Sequence, residues 1–388
     1  MVNNPLRKLE TFGQSLWLDY IRRQMITSGE LHRLIEEDGL KGVTSNPAIF
    51  EKAIAGSHDY DEAIQDLAER DKSVQDIYET LTVQDVQLAA DVFLPLHEKL
   101  KGRDGFVSLE LNPHLARDTE GTIAEARRLW GELNHPNVFI KVPATLEGLP
   151  AISQLSSEGI NVNVTLIFGL PRYHQVAEAY IAGLEKGLAR GQSLARITSV
   201  ASFFLSRIDV LVDSLLEKIR AQGGAKSETA QALRGELAIA SAKVAYVRYK
   251  EIFSSERFQA LARQGARRQR LLWASTSTKN PEYLDSKYVE PLIGPDTINT
   301  MPVETLNAYR DHGQPAPRLE EGLDHAKRVL QLLAEVGIDL DRVTQQLEDE
   351  GIEKFNKPYD SLLCTLEGKR QAVLRERNVI KTKDGSEP

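Results

Sequence analysis

Cysteine occurs once in the 388 residues, at Cys364, so no disulfide can form within the chain. Methionine and tryptophan are scarce at three each, and no stretch of them suggests a cofactor box. The eight histidines include no pair spaced i, i+4 and none at the end of a strand-like run, so no zinc or iron site and no cofactor is expected. No uncharged run approaches the ~20 apolar residues of a membrane span. Glu10 and Asp19 interrupt the first twenty residues where a signal peptide needs an unbroken apolar stretch, which predicts a cytoplasmic address with no membrane partner. Basic residues are outnumbered, 48 against 56, and the net charge of -8 works against a nucleic acid as partner.

What is present is an ordinary globular composition, with 41% hydrophobic and 27% charged residues, which excludes disorder, collagen and coiled coil. A chain of this length buries roughly 75% of the surface its unfolded form exposes, so it folds without staples. Length alone fits two or three domains of ~150 residues or one large α/β barrel. No linker divides the chain, which favours one domain over residues 1–388.

Short apolar runs alternate with helical patterns, the signature of repeated βα units and a parallel sheet. Eight strands are predicted: Leu16 to Tyr20, Lys41 to Ser45, Phe106 to Leu111, Val138 to Val142, Ile160 to Leu166, Ile197 to Ala201, Arg270 to Ala274 and Thr297 to Met301. Between them lie helices such as the one marked by Tyr173, Val176, Ala177, Tyr180, Ile181 and Leu184, which share one face. Two connections, Pro47 to Gly105 and Ser202 to Gln269, are long enough for two or three helices each. Leu319, Leu323, Ala326, Leu330 and Leu333 mark a further helix, and residues 318–379 read as a helical C-terminal segment packed on the barrel, before a polar end from Lys381 to Pro388. The expectation is a (β/α)8 barrel, of α/β class, with extra helices in its loops and a helical tail.

A closed barrel gathers reactive groups at the C-terminal ends of its strands. Polar residues stand at those places: Asp19, Thr44 and Asn46, Glu110, Lys141, Asn163 and Thr165, then Ser202 after the sixth strand and Ser275 after the seventh. Side chains two apart share a face, so Asn161, Asn163 and Thr165 point one way, as do Ser108, Glu110 and Asn112. On a surface strand that face would meet water. In a barrel it looks into the mouth.

Lys141 lies in Val138-Phe139-Ile140-Lys141-Val142-Pro143 with no charged neighbour in sequence. A lysine there can guard an exposed sheet edge. In a closed barrel it has no edge to guard, and desolvation would favour the neutral amine that attacks a carbonyl to form a Schiff base. Such chemistry on a sugar moves protons at each step, for which Asp19 and Glu110 are suitable carboxylates, although each taken singly is also an ordinary strand end or helix cap.

Seven ordered blocks carry a family resemblance: Leu16-Trp17-Leu18-Asp19-Tyr20, Gly42 to Pro47, Val107 to Glu110, Ile140 to Thr145, Asn161 to Leu166, Ser202 to Arg207 and Trp273 to Thr276. Across about residues 14 to 375 the chain resembles the transaldolases, in particular their longer bacterial branch. The resemblance implies reversible transfer of a dihydroxyacetone unit between sugar phosphates in the pentose phosphate pathway, from sedoheptulose 7-phosphate to glyceraldehyde 3-phosphate, giving erythrose 4-phosphate and fructose 6-phosphate. It implies that Lys141 forms the Schiff base, Asp19 is the acid/base at the cleaved bond, and Glu110 with Thr165 holds a water. Thr44, Asn46, Asn163 and Ser202 resemble ligands of the dihydroxyacetone hydroxyls, Arg207 resembles a phosphate ligand, and Phe204 and Ser275 join the substrate-binding set. Shorter members have a second arginine soon after the seventh-strand serine. Here only Lys279 is offered, and lysine is a point charge that cannot fork onto phosphate. An aldolase releasing free dihydroxyacetone and a noncatalytic sugar-phosphate-binding barrel remain alternatives, and a homo-oligomer stays open.

Three further features are read as structural. Gly223-Gly224-Ala225-Lys226-Ser227 resembles a P-loop only faintly and is expected to be a helix-to-helix loop. Arg263, Arg267, Arg268 and Arg270 are expected to form a solvated basic loop at the end of the barrel away from the chemistry, and Cys364 to be a small buried hydrophobe.

Overall fold

The computed structural model describes residues 4–384, with side chains through Arg377. Eight strands, β1 (Gln14–Asp19), β2 (Gly42–Thr44), β3 (Phe106–Glu110), β4 (Val138–Pro143), β5 (Val162–Ile167), β6 (Ser199–Phe204), β7 (Arg270–Ala274) and β8 (Thr297–Met301), pair in parallel and in chain order. The ring closes where Leu16 of β1 lies opposite Asn299 of β8. Every strand but β7, which is followed only by the single turn Glu290–Leu292, leads into an α-helix, so the (β/α)8 barrel expected from the alternation is the fold.

Strand register decides which side chains enter the ring. Glu110 pairs with Lys141, Lys141 with Asn163, and Asp19 with Thr44, so these neighbours share the inner face. Val107, Ile140, Val162 and Val164 face the helices and are fully buried there. The interior is layered. Trp17, Phe106 and Phe139 fill its middle, with ring centroids 6.4, 6.1 and 4.3 Å apart. Gly42 makes room for them, since a Cβ at that position would come within 2.5 Å of the Trp17 ring. Below the aromatic layer, Arg270 pairs with Asp104 at 3.0 Å, and Asp104 also accepts from Ser15 and from the Trp17 indole. A second set of polar groups stands above the plug, at the C-terminal ends of the strands.

The decorated loops are longer than the sequence suggested in one case. The connection after β2 holds three helices, Pro47–Ala55, Asp61–Glu69 and Val74–Lys99, within expectation, whereas that after β6 holds four: Ser206–Gln222, Ser227–Leu233, Leu237–Ser254 and Glu256–Ala262. Gly223 and Gly224 join the first two of these four, as a helix-to-helix loop should. Asn46 starts the helix Pro47–Ala55 by accepting from the Ile49 N–H at 3.1 Å, ahead of a proline that has no N–H to satisfy.

Several boundaries move. β6 runs Ser199–Phe204 instead of Ile197 to Ala201, so Ser202 lies inside the strand and not after it. Leu319 precedes the helix Leu323–Val336, and the last helix, Leu340–Asp384, continues past residue 379. Lys381 to Asp384 belong to that helix, while the rest of the expected polar end lies outside the described residues. Cys364 is exposed, because the buried face of this helix is drawn by Leu362 and Leu366, one turn apart, and Cys364 falls between them on the other side. The arginine cluster is not simply solvated. Arg270 is 7% exposed within β7, and Arg267 donates to the carbonyls of Lys101 and Gly102.

Candidate active site

A cavity of about 360 Å³ opens at the C-terminal ends of the strands. Its wall takes Asp19 from β1, Thr44 from β2, Lys141 from β4, Thr165 from β5, and Ser202 and Phe204 from β6. Loops add Asn46, Ser275 and Lys279, and the first turn of the helix Ser206–Gln222 adds Arg207. Ten of the twelve residues singled out in the sequence therefore surround one space.

The other two sit just behind it. Glu110 opens onto a small adjoining pocket shared with Lys141 and Phe355. Asn163 is fully buried, and both ends of its amide are used: the N–H₂ group donates to Ser108 Oγ at 3.1 Å, and the carbonyl accepts from Ser202 Oγ at 2.7 Å. It fixes Ser202 from beneath the cavity wall.

Lys141 is 4% exposed, with Nζ donating to the Ser45 carbonyl at 2.9 Å and to Glu110 Oε2 at 3.2 Å. Ser45 is itself anchored, its hydroxyl donating to the Ser108 carbonyl at 2.7 Å. The charge partner that the local sequence lacked thus comes from the neighbouring strand in register. Burial raises the Glu110 pKa above the ordinary carboxylate range, with the Lys141 charge opposing. Across the mouth, Asp19 accepts from the Thr44 hydroxyl at 2.6 Å, and Thr44 is within 2.8 Å of the Thr300 hydroxyl. Burial raises Asp19 as well, again opposed by Lys141. Two carboxyls that hold protons unusually well therefore flank one amine.

Thr165 Oγ is buried without a hydrogen-bond partner among the described residues. Arg207 begins the helix after β6, and its Nη1 is likewise buried and without a partner among them. Burial depresses Arg207, which Glu110 and Asp19 counter. Its guanidinium lies 5.5 Å from the Phe204 ring and 6.0 Å from that of Phe355. Lys279 donates to Ser277 Oγ at 2.6 Å, and burial depresses it too. Ser275 adopts the left-handed conformation (φ 55°), and its hydroxyl is 2.9 Å from that of Ser206, beside Arg207.

The sequence reading missed Lys52, Thr300, Glu304, Lys354 and Phe355, all on the cavity wall. Thr300 was findable, since it is the polar residue near the C-terminal end of the eighth strand. Lys354 and Phe355 carry no such signal. They arrive on the C-terminal helix, which crosses the mouth where Gly351 allows it to approach Leu166 closely. Among the described residues, no group of three or more His, Cys, Asp or Glu side chains could hold a metal ion.

Comparison with known proteins agrees with this geometry. The family model described as Transaldolase/Fructose-6-phosphate aldolase matches residues 16–366. A protein named Transaldolase from Trichodesmium erythraeum is 48% identical over 95% of this chain and 98% of its own length. A Transaldolase from Thermobifida fusca is 49% identical over 93% of this chain and 97% of its own. A protein named Transaldolase 2 from a Nostoc strain is 46% identical over 95% and 98%. With the match running from Leu16 in β1 through the rest of the barrel and into the last helix up to residue 366, this chain belongs to the transaldolase/fructose-6-phosphate aldolase family.

Proposed function

We propose that the chain acts as a transaldolase, carrying a dihydroxyacetone unit from a ketose phosphate to an aldose phosphate as an imine on Lys141, in the pentose phosphate pathway. The observation that carries this reading is a buried lysine amine set between two carboxyls in a sugar-sized cavity whose rim is cationic. A volume of about 360 Å³ falls in the range of small-molecule sites.

The steps balance with these groups. The Lys141 amine, its proton passed to Glu110, adds to the ketose C2 carbonyl, and the carbinolamine loses water to give the imine. Asp19 takes the proton of the C4 hydroxyl as the C3–C4 bond breaks, leaving an aldose and an enamine. The enamine then attacks the acceptor aldehyde, whose oxygen recovers the proton from Asp19. Water, held between Glu110 and Thr165, hydrolyses the new imine. Thr165 has a hydroxyl to spare for it. Thr44, Asn46 and Ser202 hold the hydroxyls of the three-carbon unit, with Asn163 positioning Ser202. Phe204 and Ser275 shape the wall, and Arg207 and Lys279 receive the phosphate.

The barrel and the helical segment 318–379 act as one domain on this reading, because Phe355 closes the mouth. A cytoplasmic address goes with it, since phosphorylated sugars are charged and stay in the compartment that makes them. Borohydride reduction during incubation with fructose 6-phosphate should leave a reduced three-carbon unit on Lys141, read by peptide mass spectrometry. A labelled peptide that lacks Lys141 would overturn the assignment. Turnover of fructose 6-phosphate should depend on added erythrose 4-phosphate, whereas equal turnover without it would make the chain an aldolase.

A further inference from the structure

The arginine cluster at the opposite end of the barrel lines a second recess of about 420 Å³, together with Lys101, Arg103, Thr198 and Tyr249. Five cationic side chains, Lys101, Arg103, Arg267, Arg268 and Arg270, share two carboxylates. Asp104 is taken by Arg270, and Asp296 is divided between Arg103 at 2.9 Å and Arg268 at 3.4 Å. An excess of three positive charges is thus gathered on a chain whose net charge is -8.

The cluster is braced. Arg267 donates to the Lys101 and Gly102 carbonyls, and Arg270 to the Arg103 carbonyl at 2.7 Å, so the turn carrying Lys101 and Arg103 is fixed against β7. Thr198, 6% exposed, lines the recess, but its hydroxyl is closed off inside the protein and offers no donor to a ligand there. Burial and the nearby Arg270 charge both depress Arg267, a tension that a bound anion would relieve.

We infer that this recess binds a small phosphate-bearing anion, a phosphate ester or pyrophosphate, between Arg103, Arg268 and Arg267. Guanidinium forks suit phosphate oxygens, and Arg103 and Arg268 are exposed enough to turn toward one. The recess is concave and of small-molecule size, whereas a nucleic acid needs an extended basic track that an acidic chain does not offer. The site is separate from the mouth, and the inference does not depend on what the mouth does.

Calorimetric titration with pyrophosphate at fixed ionic strength tests it. Wild-type protein should show one class of site that Arg103→Ser/Arg268→Ser lacks, while kcat and KM for fructose 6-phosphate stay within about twofold. Identical isotherms for wild type and the arginine pair would overturn the proposal. So would equal weakening by the control pair Arg70→Ser/Arg220→Ser, or tighter binding of a single-stranded oligonucleotide than of pyrophosphate.

Discussion

Glu110, buried, and Asp19, half-buried, both lie near Lys141, yet their surroundings divide the work between them. Glu110 touches Nζ, and Asp19 instead faces Thr44 on the far wall. Imine formation needs a proton carrier at the amine, and bond cleavage needs one at a hydroxyl further along the sugar. Asp19→Asn keeps the size of the side chain and an oxygen for the Thr44 hydroxyl, but cannot accept the proton. We expect kcat to fall by about 10² to 10⁴ while the imine still forms. Reduced variant incubated with fructose 6-phosphate should carry the intact six-carbon unit on Lys141. A three-carbon adduct at the wild-type rate would move the acid/base role to Glu110.

At the scale of elements, the loop between β7 and β8, which carries Lys279, is tied to the helix Ser206–Gln222 by two hydroxyl–carboxylate bonds. Tyr288 donates to Asp209 at 2.9 Å and Tyr283 to Asp213 at 2.6 Å. Burial pushes Asp209 up from 3.8 to about 6. Between those two values the folded protein binds the proton and the unfolded chain does not, so this group's contribution to stability falls as pH rises. The full change is about two units, or ~3 kcal/mol at ~1.36 kcal/mol per unit, of which about 1 kcal/mol falls between pH 5 and 7. Urea unfolding should therefore show wild type losing about 1 kcal/mol relative to Asp209→Asn over that interval, and a constant gap between the two proteins would refute the coupling. The strands themselves were largely legible, for a physical reason visible at β7 and β8: a short strand-forming run there is bounded by loop residues, and both ends match. Ile197 to Phe204 runs on without a turn residue to punctuate it, so the sequence could not say where β6 begins. Neighbours across strands, such as Glu110 beside Lys141, follow from register once the ring is closed. Phe355 does not, because nothing local tells a helix near the end of the chain which face of the barrel it will cross.

At the scale of the whole molecule, the aromatic plug separates an end that does chemistry from an end that holds the ring together. Arg270 on β7, Asp104 just before β3, and Ser15 and Trp17 on β1 form one buried network across the floor of the barrel. Removing one partner of a buried pair leaves the other charge without compensation, so Arg270→Leu should cost about 3–5 kcal/mol of unfolding free energy. Replacing both, in Asp104→Leu/Arg270→Leu, removes the stranded charge and should recover part of that loss. Because Lys141, Asp19 and Glu110 lie on the other side of Trp17, Phe106 and Phe139, kcat at a temperature where both variants remain folded should stay within about threefold of wild type, a barrier change below ~1 kcal/mol. Denaturant midpoints and kcat measured on the same preparations decide the matter. If Arg270→Leu keeps its midpoint but loses kcat, the floor of the barrel is part of the catalytic machinery and the division of the molecule into two ends is wrong.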